Sequence, residues 1–246
     1  MQWKSNATMG QVVVDANQLN HPTNVIIDQQ NNSLIIADQG NRRLIRWSRQ
    51  DSPCGRTIMS DIDCFGLAIH KDGSIYISDC MKNAVRRWKK GETNAPIVAG
   101  GNGEGNALNQ LHYPTYLFVD DHHTLYVSDR YNHRVMKWMK DAKEGIVVAG
   151  GNDEGDRLTQ LSFPSGVLAD RFGQIYVADW GNDRVLRWRE EEIAGIIVVG
   201  GSENGSRANQ LSSPAGVSYD SVGNLYVVDG SNARVQRFEI EAHVSK

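Results

Sequence analysis

The decapeptide DRYNHRVMKW at residues 129–138 is one of five versions of a single frame. The others are DQGNRRLIRW at 38–47, DCMKNAVRRW at 79–88, DWGNDRVLRW at 179–188 and DGSNARVQRF at 229–238. The aspartates that open them, Asp38, Asp79, Asp129, Asp179 and Asp229, are spaced by 41, 50, 50 and 50 residues. A period near 50 means that each copy is one supersecondary unit, which buries its apolar face only by stacking on a neighbour.

The interior of a unit fixes the type of array. In LSFPSGVLADRFGQIYVADWGNDRVLRWREEEIAGIIVVG, residues 161–200, four short apolar segments alternate with turns rich in Gly, Asp and Asn. Val, Ile and Tyr dominate the segments and no helical period is present, so each unit is a four-stranded antiparallel meander. Four strands per repeat of this length predict an all-β chain, a β-propeller with one repeat per blade. The shared pattern PxGVxxDxxGxxYVxDxxNxRVxRW resembles the NHL repeat, and Asn132-His133-Arg134 comes nearest to its literal form. The resemblance extends over essentially the whole chain. It implies a scaffold that binds proteins or RNA, with lyases and lactonases among relatives of similar shape.

The blades fall near residues 19–60, 61–100, 111–150, 161–200 and 211–238 plus 10–14, within a single domain spanning 1–246. Residues 211–238 supply only three strands. Gln11–Val14 is therefore expected as the outer strand of the fifth blade, a clasp closing the ring. Gln2-Trp3-Lys4 resembles Lys137-Trp138-Met139 and so duplicates the third strand that ends at Phe238. This keeps six blades as the alternative to five.

Five copies act as an internal control: a residue that builds a blade recurs in every blade. Trp47, Trp88, Trp138, Trp188 and Phe238 are read as rings wedged between blades. The five aspartates are expected to accept N–H groups across the following turn. Asn41, Asn132, Asn182 and Asn232 suit a left-handed backbone there. Arg43, Arg134, Arg184 and Arg234 are expected to pair with an aspartate of their own or a neighbouring blade. The second unit departs from the frame, with Lys82 in place of asparagine, Ala84 in place of arginine and Cys64-Phe65-Gly66 in place of Pro-x-Gly.

Where the copies disagree, function is expected. The loops leading into each first strand and the turns between strands two and three lie on one face beside the channel. On that face blades two to four supply Phe65, Met81, Lys82, Tyr116, Arg130, Tyr131, His133 and Trp180, whereas blades five and one supply small or amide side chains. Exposed aromatics with an arginine form a recognition patch, so the sequence predicts a non-catalytic binding module for a protein or peptide. RNA is the weaker partner, because the net charge of −3 and pI near 6.2 lack the basic excess of nucleic-acid binders. The enzyme alternative is a metal-dependent lyase or hydrolase. Of the seven histidines only His112 and His133 share this face, too few ligands for a catalytic metal. No catalytic residue, metal or cofactor is assigned.

Asn152-Asp153-Glu154-Gly155-Asp156 reads as a solvated linker turn, because its counterparts at 102–106 and 202–206 lose carboxylates. Cys64 and Cys80 are expected to be neighbours, more in keeping with unpaired thiols than with a disulfide or half of a metal site. Three cysteines make no disulfide framework. No apolar run reaches membrane-spanning length, and the N-terminus lacks the apolar core and cleavage site of a secretion signal.

Overall fold

The computed structural model describes residues 12–14, 16–49, 55–189, 191–201 and 203–240. Blade one is β1 (Pro22–Asp28), β2 (Ser33–Asp38), β3 (Arg43–Ser48) and β4 (Arg56–Ser60). Blade two is β5 (Cys64–Ile69), β6 (Ile75–Asp79), β7 (Ala84–Trp88) and β8 (Ile97–Gly100). Blade three is β9 (Pro114–Val119), β10 (Leu125–Asp129), β11 (Arg134–Trp138) and β12 (Ile146–Gly150), and blade four is β13 (Pro164–Ala169), β14 (Ile175–Asp179), β15 (Arg184–Trp188) and β16 (Ile196–Gly200). Blade five has β17 (Pro214–Tyr219), β18 (Leu225–Asp229) and β19 (Arg234–Phe238). Each sheet is an antiparallel meander in chain order, and among the described residues the only helices are single 3-10 turns. The architecture is an all-β, five-bladed propeller.

The repeated residues explain why every unit folds alike. Oδ1 of the aspartate accepts the N–H of the residue 17 or 18 positions earlier, in the loop before the first strand: Asn20 to Asp38 at 2.7 Å, His112 to Asp129 at 2.6 Å, Ser162 to Asp179 and Ser212 to Asp229 at 2.7 Å. The bond therefore reaches backwards across the blade, not over the following turn. Oδ2 takes the asparagine amide and the arginine Nε of the same blade, as in Asn132 at 2.8 Å and Arg134 at 2.7 Å. The remaining Arg134 donors bind the carbonyls of Asn106, Ala107 and Gln110. In blades one, three, four and five this ion pair pins the strands to the loop that feeds them. Its charges are tolerable in the interior because nearly every lone pair and N–H is used.

The left-handed position is one residue later than the sequence suggested. Arg42, Asn83, His133, Asp183 and Ala233 carry φ between 49° and 53°, whereas the asparagines lie inside the 3-10 turns and serve as donors to the aspartates. Blade two keeps the ion pair by another route. Ala84 holds the arginine position, and Arg86, two residues on and so on the same face of β7, reaches Asp79 at 2.9 Å. Asp79 Oδ1 is left buried without a partner among the described residues.

The core is distributed between blades. Trp138 packs in a cluster that unites blade two (Tyr76, Val85) with blade three (Leu125, Met136), and Trp188 does the same for blades three and four. These are the wedges foreseen for the tenth position. Further clusters join blades one to two and four to five. The fifth cluster, Ile36, Ile45 and Trp47 with Val14 and Leu19, belongs to blade one and the segment before it. β1, β5, β9, β13 and β17 pack side by side in turn, and β17 and β1 lack that packing. Val235 is 63% exposed, although its repeat equivalents Val85, Val135 and Val185 are each at 0%. The clasp foreseen at 10–14 is not seen among the described residues. Gln11 lies outside them, Val12–Val14 form no strand, and Val14 is taken up by blade one.

Candidate functional site: an aromatic face on blades two to four

The first strand of each blade pairs its opening residue with the repeat aspartate, as in Cys64 with Asp79, Pro114 with Asp129 and Pro164 with Asp179. The loops before the first strands and the 3-10 turns after the aspartates therefore share one face. In blades one to four the left-handed residue reaches forward to the residue just before the next blade. Arg42 pairs with Asp63 at 3.2 Å, Asn83 Oδ1 accepts the Tyr113 N–H at 2.8 Å, His133 Nδ1 accepts the Phe163 N–H at 3.2 Å and Asp183 Oδ1 accepts the Ser213 N–H at 2.7 Å. These staples hold Tyr113 (φ 54°) and Phe163 (φ 50°) in a conformation that bulky residues seldom adopt, a strain that costs on the order of 1 kcal/mol or more.

The stapled rings complete a continuous row. Tyr116 meets Phe65 at 5.6 Å between centroids, Phe65 meets Tyr113 at 6.5 Å, and Tyr113 meets Tyr131 at 5.1 Å. Tyr131 meets Phe163 at 6.0 Å and Phe163 meets Trp180 at 6.3 Å. Most contacts are edge-to-face, the arrangement that ring quadrupoles favour. Arg130 lies over Trp180 at 4.8 Å and over Phe163 at 5.6 Å. Burial draws its pKa down, against the opposing pull of the tyrosines around it, and no carboxylate pairs with it among the described residues. Tyr131 and Trp180 remain 43% and 37% exposed.

Phe65 and Tyr116 sit where the first strands of their blades slip register, and such bulges re-aim side chains. Gly66 permits the close approach of these strands, because a Cβ there would lie 2.2 Å from the Thr115 carbonyl oxygen. Of the residues singled out from sequence, Phe65, Tyr116, Arg130, Tyr131 and Trp180 meet in this row. His133 supports it from beneath, with its ring 4.7 Å from Phe163 and its Nδ1 committed to the backbone. Burial lowers its pKa, partly offset by Glu154. Met81 and Lys82 are exposed on the neighbouring 3-10 turn of blade two, outside the row of ring contacts. Tyr113 and Phe163 escaped notice because the residue before proline reads as scaffold. Their signal was an aromatic there in two copies only.

Cys64 and Cys80 are buried free thiols, bonded to the carbonyls of Arg43 and Asp63. Burial pushes Cys64 up to about 12.

The channel is a cavity of about 770 Å3 along the five first strands, lined by Ile26, Leu67, Leu117, Val167 and Val217 among others. Among the described residues that line it, none is His, Asp, Glu or Cys. Among the described residues no helix is long and apolar enough to cross a membrane.

Residues 211–238, the fifth blade, match the NHL repeat. No curated protein is matched by the sequence. Solved structures share the fold at low identity. One is an auxiliary nutrient binding protein from Bacteroides thetaiotaomicron (14% identity, TM-score 0.70, 89% of this chain and 59% of that one). A gluconolactonase from Xanthomonas campestris matches at 14% identity and TM-score 0.68, over 89% of this chain and 76% of that one. A chain of a nidogen/laminin complex matches at 19% identity and TM-score 0.69, over 89% of this chain and 75% of that one. The chain thus spans about three-fifths of the nutrient binding protein's length.

Proposed function

We propose that this NHL-repeat β-propeller is a non-catalytic binding module whose aromatic face receives a peptide segment of a partner protein. The observation that carries the reading is the row from Tyr116 to Trp180 crowned by Arg130, a cation that no carboxylate among the described residues pairs with. Partly exposed aromatics beside an arginine are the side chains that dominate binding energy at protein interfaces. The guanidinium favours a segment that brings a carboxylate to the rings, since a charge-assisted hydrogen bond in a partly desolvated setting is a strong one.

The rival is a metal-assisted lyase or hydrolase working in the channel. Among the described residues its apolar lining offers hydroxyls and one amide but no imidazole or carboxylate, whereas divalent metals at catalytic sites are held by such groups. This favours binding over catalysis.

The test is a peptide-display selection on the immobilised protein, followed by affinity measurements with Arg130→Ala/Tyr131→Ala/Trp180→Ala. An exposed residue of the opposite face, Phe172→Ala, is the control. Selected peptides should lose at least about tenfold in affinity with the triple variant and none with the control. Equal affinity for the triple variant, with its circular dichroism unchanged, would remove the proposal.

A further inference from the structure

On the face opposite the aromatic row, two inter-strand turns of adjacent blades bring together His70, Asp72 and His123. The repeat shows what these turns require. In blades three, four and five, Asp120, Asp170 and Asp220 close the turn by accepting the N–H of Thr124, Gln174 and Asn224. Blade two has His70 at that place, and the closing carboxylate has moved to Asp72, which accepts the Ser74 N–H at 2.9 Å. In blades two, four and five the left-handed corner is Gly73, Gly173 and Gly223; blade three puts His123 there at φ 63°. A side chain in that conformation is disfavoured relative to glycine. Two departures from the scaffold, one in each blade, thus meet at a single point.

The chemistry of the meeting point is specific. The two imidazoles lie 3.6 Å apart between centroids. Each has its outer nitrogen engaged: His70 Nε2 by the Asp121 carbonyl at 3.3 Å and His123 Nδ1 by the Tyr76 hydroxyl at 2.8 Å. The inner nitrogens face the Asp72 carboxylate, His70 Nδ1 at 2.8 Å and His123 Nε2 at 3.8 Å. The Asp72 N–H also lies 3.2 Å from His70 Nδ1. Three electron-pair donors converge, all within 4.8 Å of one another. Tetrahedral coordination at ~2.0–2.1 Å separates donors by about 3.3 Å, inside the observed span. Outer nitrogens tied to a carbonyl and a hydroxyl are the arrangement that orients metal-bound histidines.

We propose that His70, Asp72 and His123 form a site for a divalent transition metal of the zinc type, bridging blades two and three. Imidazole ligands select such a metal over Ca2+ or Mg2+, which take oxygen ligands. The Lys89 ammonium, 3.0 Å from Asp72 Oδ2 and partly exposed, occupies part of the coordination space and swings out when the metal enters. The cation then ties together the two blades that carry Phe65, Tyr113, Tyr116 and Tyr131.

The experiment is calorimetric titration of chelator-treated protein with ZnCl2, and separately with CaCl2. The wild type should bind one equivalent of Zn2+ with a dissociation constant in the micromolar range or below, should gain thermal stability, and should ignore Ca2+. His123→Gly restores the residue that the other blades carry, so it retains the fold while losing at least about tenfold in Zn2+ affinity, the scale on which loss of even supporting groups is felt. Asp72→Asn should weaken binding likewise. Absence of one-equivalent Zn2+ binding in the wild type, or binding undiminished in a folded His123→Gly protein, overturns the proposal.

Discussion

The seventh residue of the decapeptide allows the blade packing to be measured against itself. Val185 and Val235 are the same residue at the same repeat position, one at 0% and the other at 63% exposure. Val185→Ala removes two methyl groups from a sealed junction. At about 0.8 kcal/mol per buried group the transfer loss is ~1.6 kcal/mol, and the cavity left behind raises the total to about 2–3 kcal/mol. At Val235 only about a third of that surface is withdrawn from water and no cavity forms, so Val235→Ala should cost ~0.5 kcal/mol. Urea unfolding followed by tryptophan fluorescence and by circular dichroism gives both values, with coincident curves as the check on two-state behaviour. In a chain of this size the melting temperature should fall by about 4–12 °C for Val185→Ala and by about 1–2 °C for Val235→Ala. Costs equal within about 0.5 kcal/mol would refute the reasoning, because they would show Val235 buried in solution.

Arg134→Ala should destabilise by about 3–5 kcal/mol, since it strands the buried Asp129 and frees three linker carbonyls; urea midpoints would show it, and Arg86→Ala should behave similarly in blade two. Gly66→Ala forces the strands carrying Phe65 and Tyr116 apart and should cost several kcal/mol, visible as an earlier thermal transition. The Asp38 and Asp229 carboxyls are buried, yet N–H and arginine donors hold them below the ordinary value. Their contribution is complete above about pH 3.9 and is lost as pH falls through their lowered folded values. His133 is lowered as well, so the unfolded chain binds more protons there, and stability should already begin to drop as pH falls below about 6.5. Stability measured between pH 8 and pH 2 should show both descents, and His133→Asn should flatten the first.

Repetition made the architecture legible: five aspartates in register fixed the strand count and the shared face before any contact was known. Details of the repeat were harder to read. Asn132 recurs because Asp129 needs its amide, whereas the left-handed residue beside it varies freely as His133, Asp183 or Ala233. Recurrence therefore pointed one position too early. The arginine of blade two was found missing from Ala84, and its displacement by two residues to Arg86 follows from strand geometry but not from alignment of the copies. For the aromatic face, five of the eight named residues meet in one row, because aromatics in corresponding loops necessarily fall on one side of the sheets. His70, Asp72 and His123 could not be joined from sequence, since only the sideways stacking of blades brings a turn of one against a turn of the next.

Among the described residues the junction between blades five and one is the least packed, and this has a consequence for durability. Local opening should begin there, at Val228, Val235 and the outer rim of β19, where the fewest apolar contacts must be broken. Tyr113, Tyr131 and Phe163 stand on the far side of the disc, behind intact junctions. Fraying of the terminal sheet can therefore come and go while the aromatic face stays in shape, insulated from the weakest spoke by its sturdier neighbours.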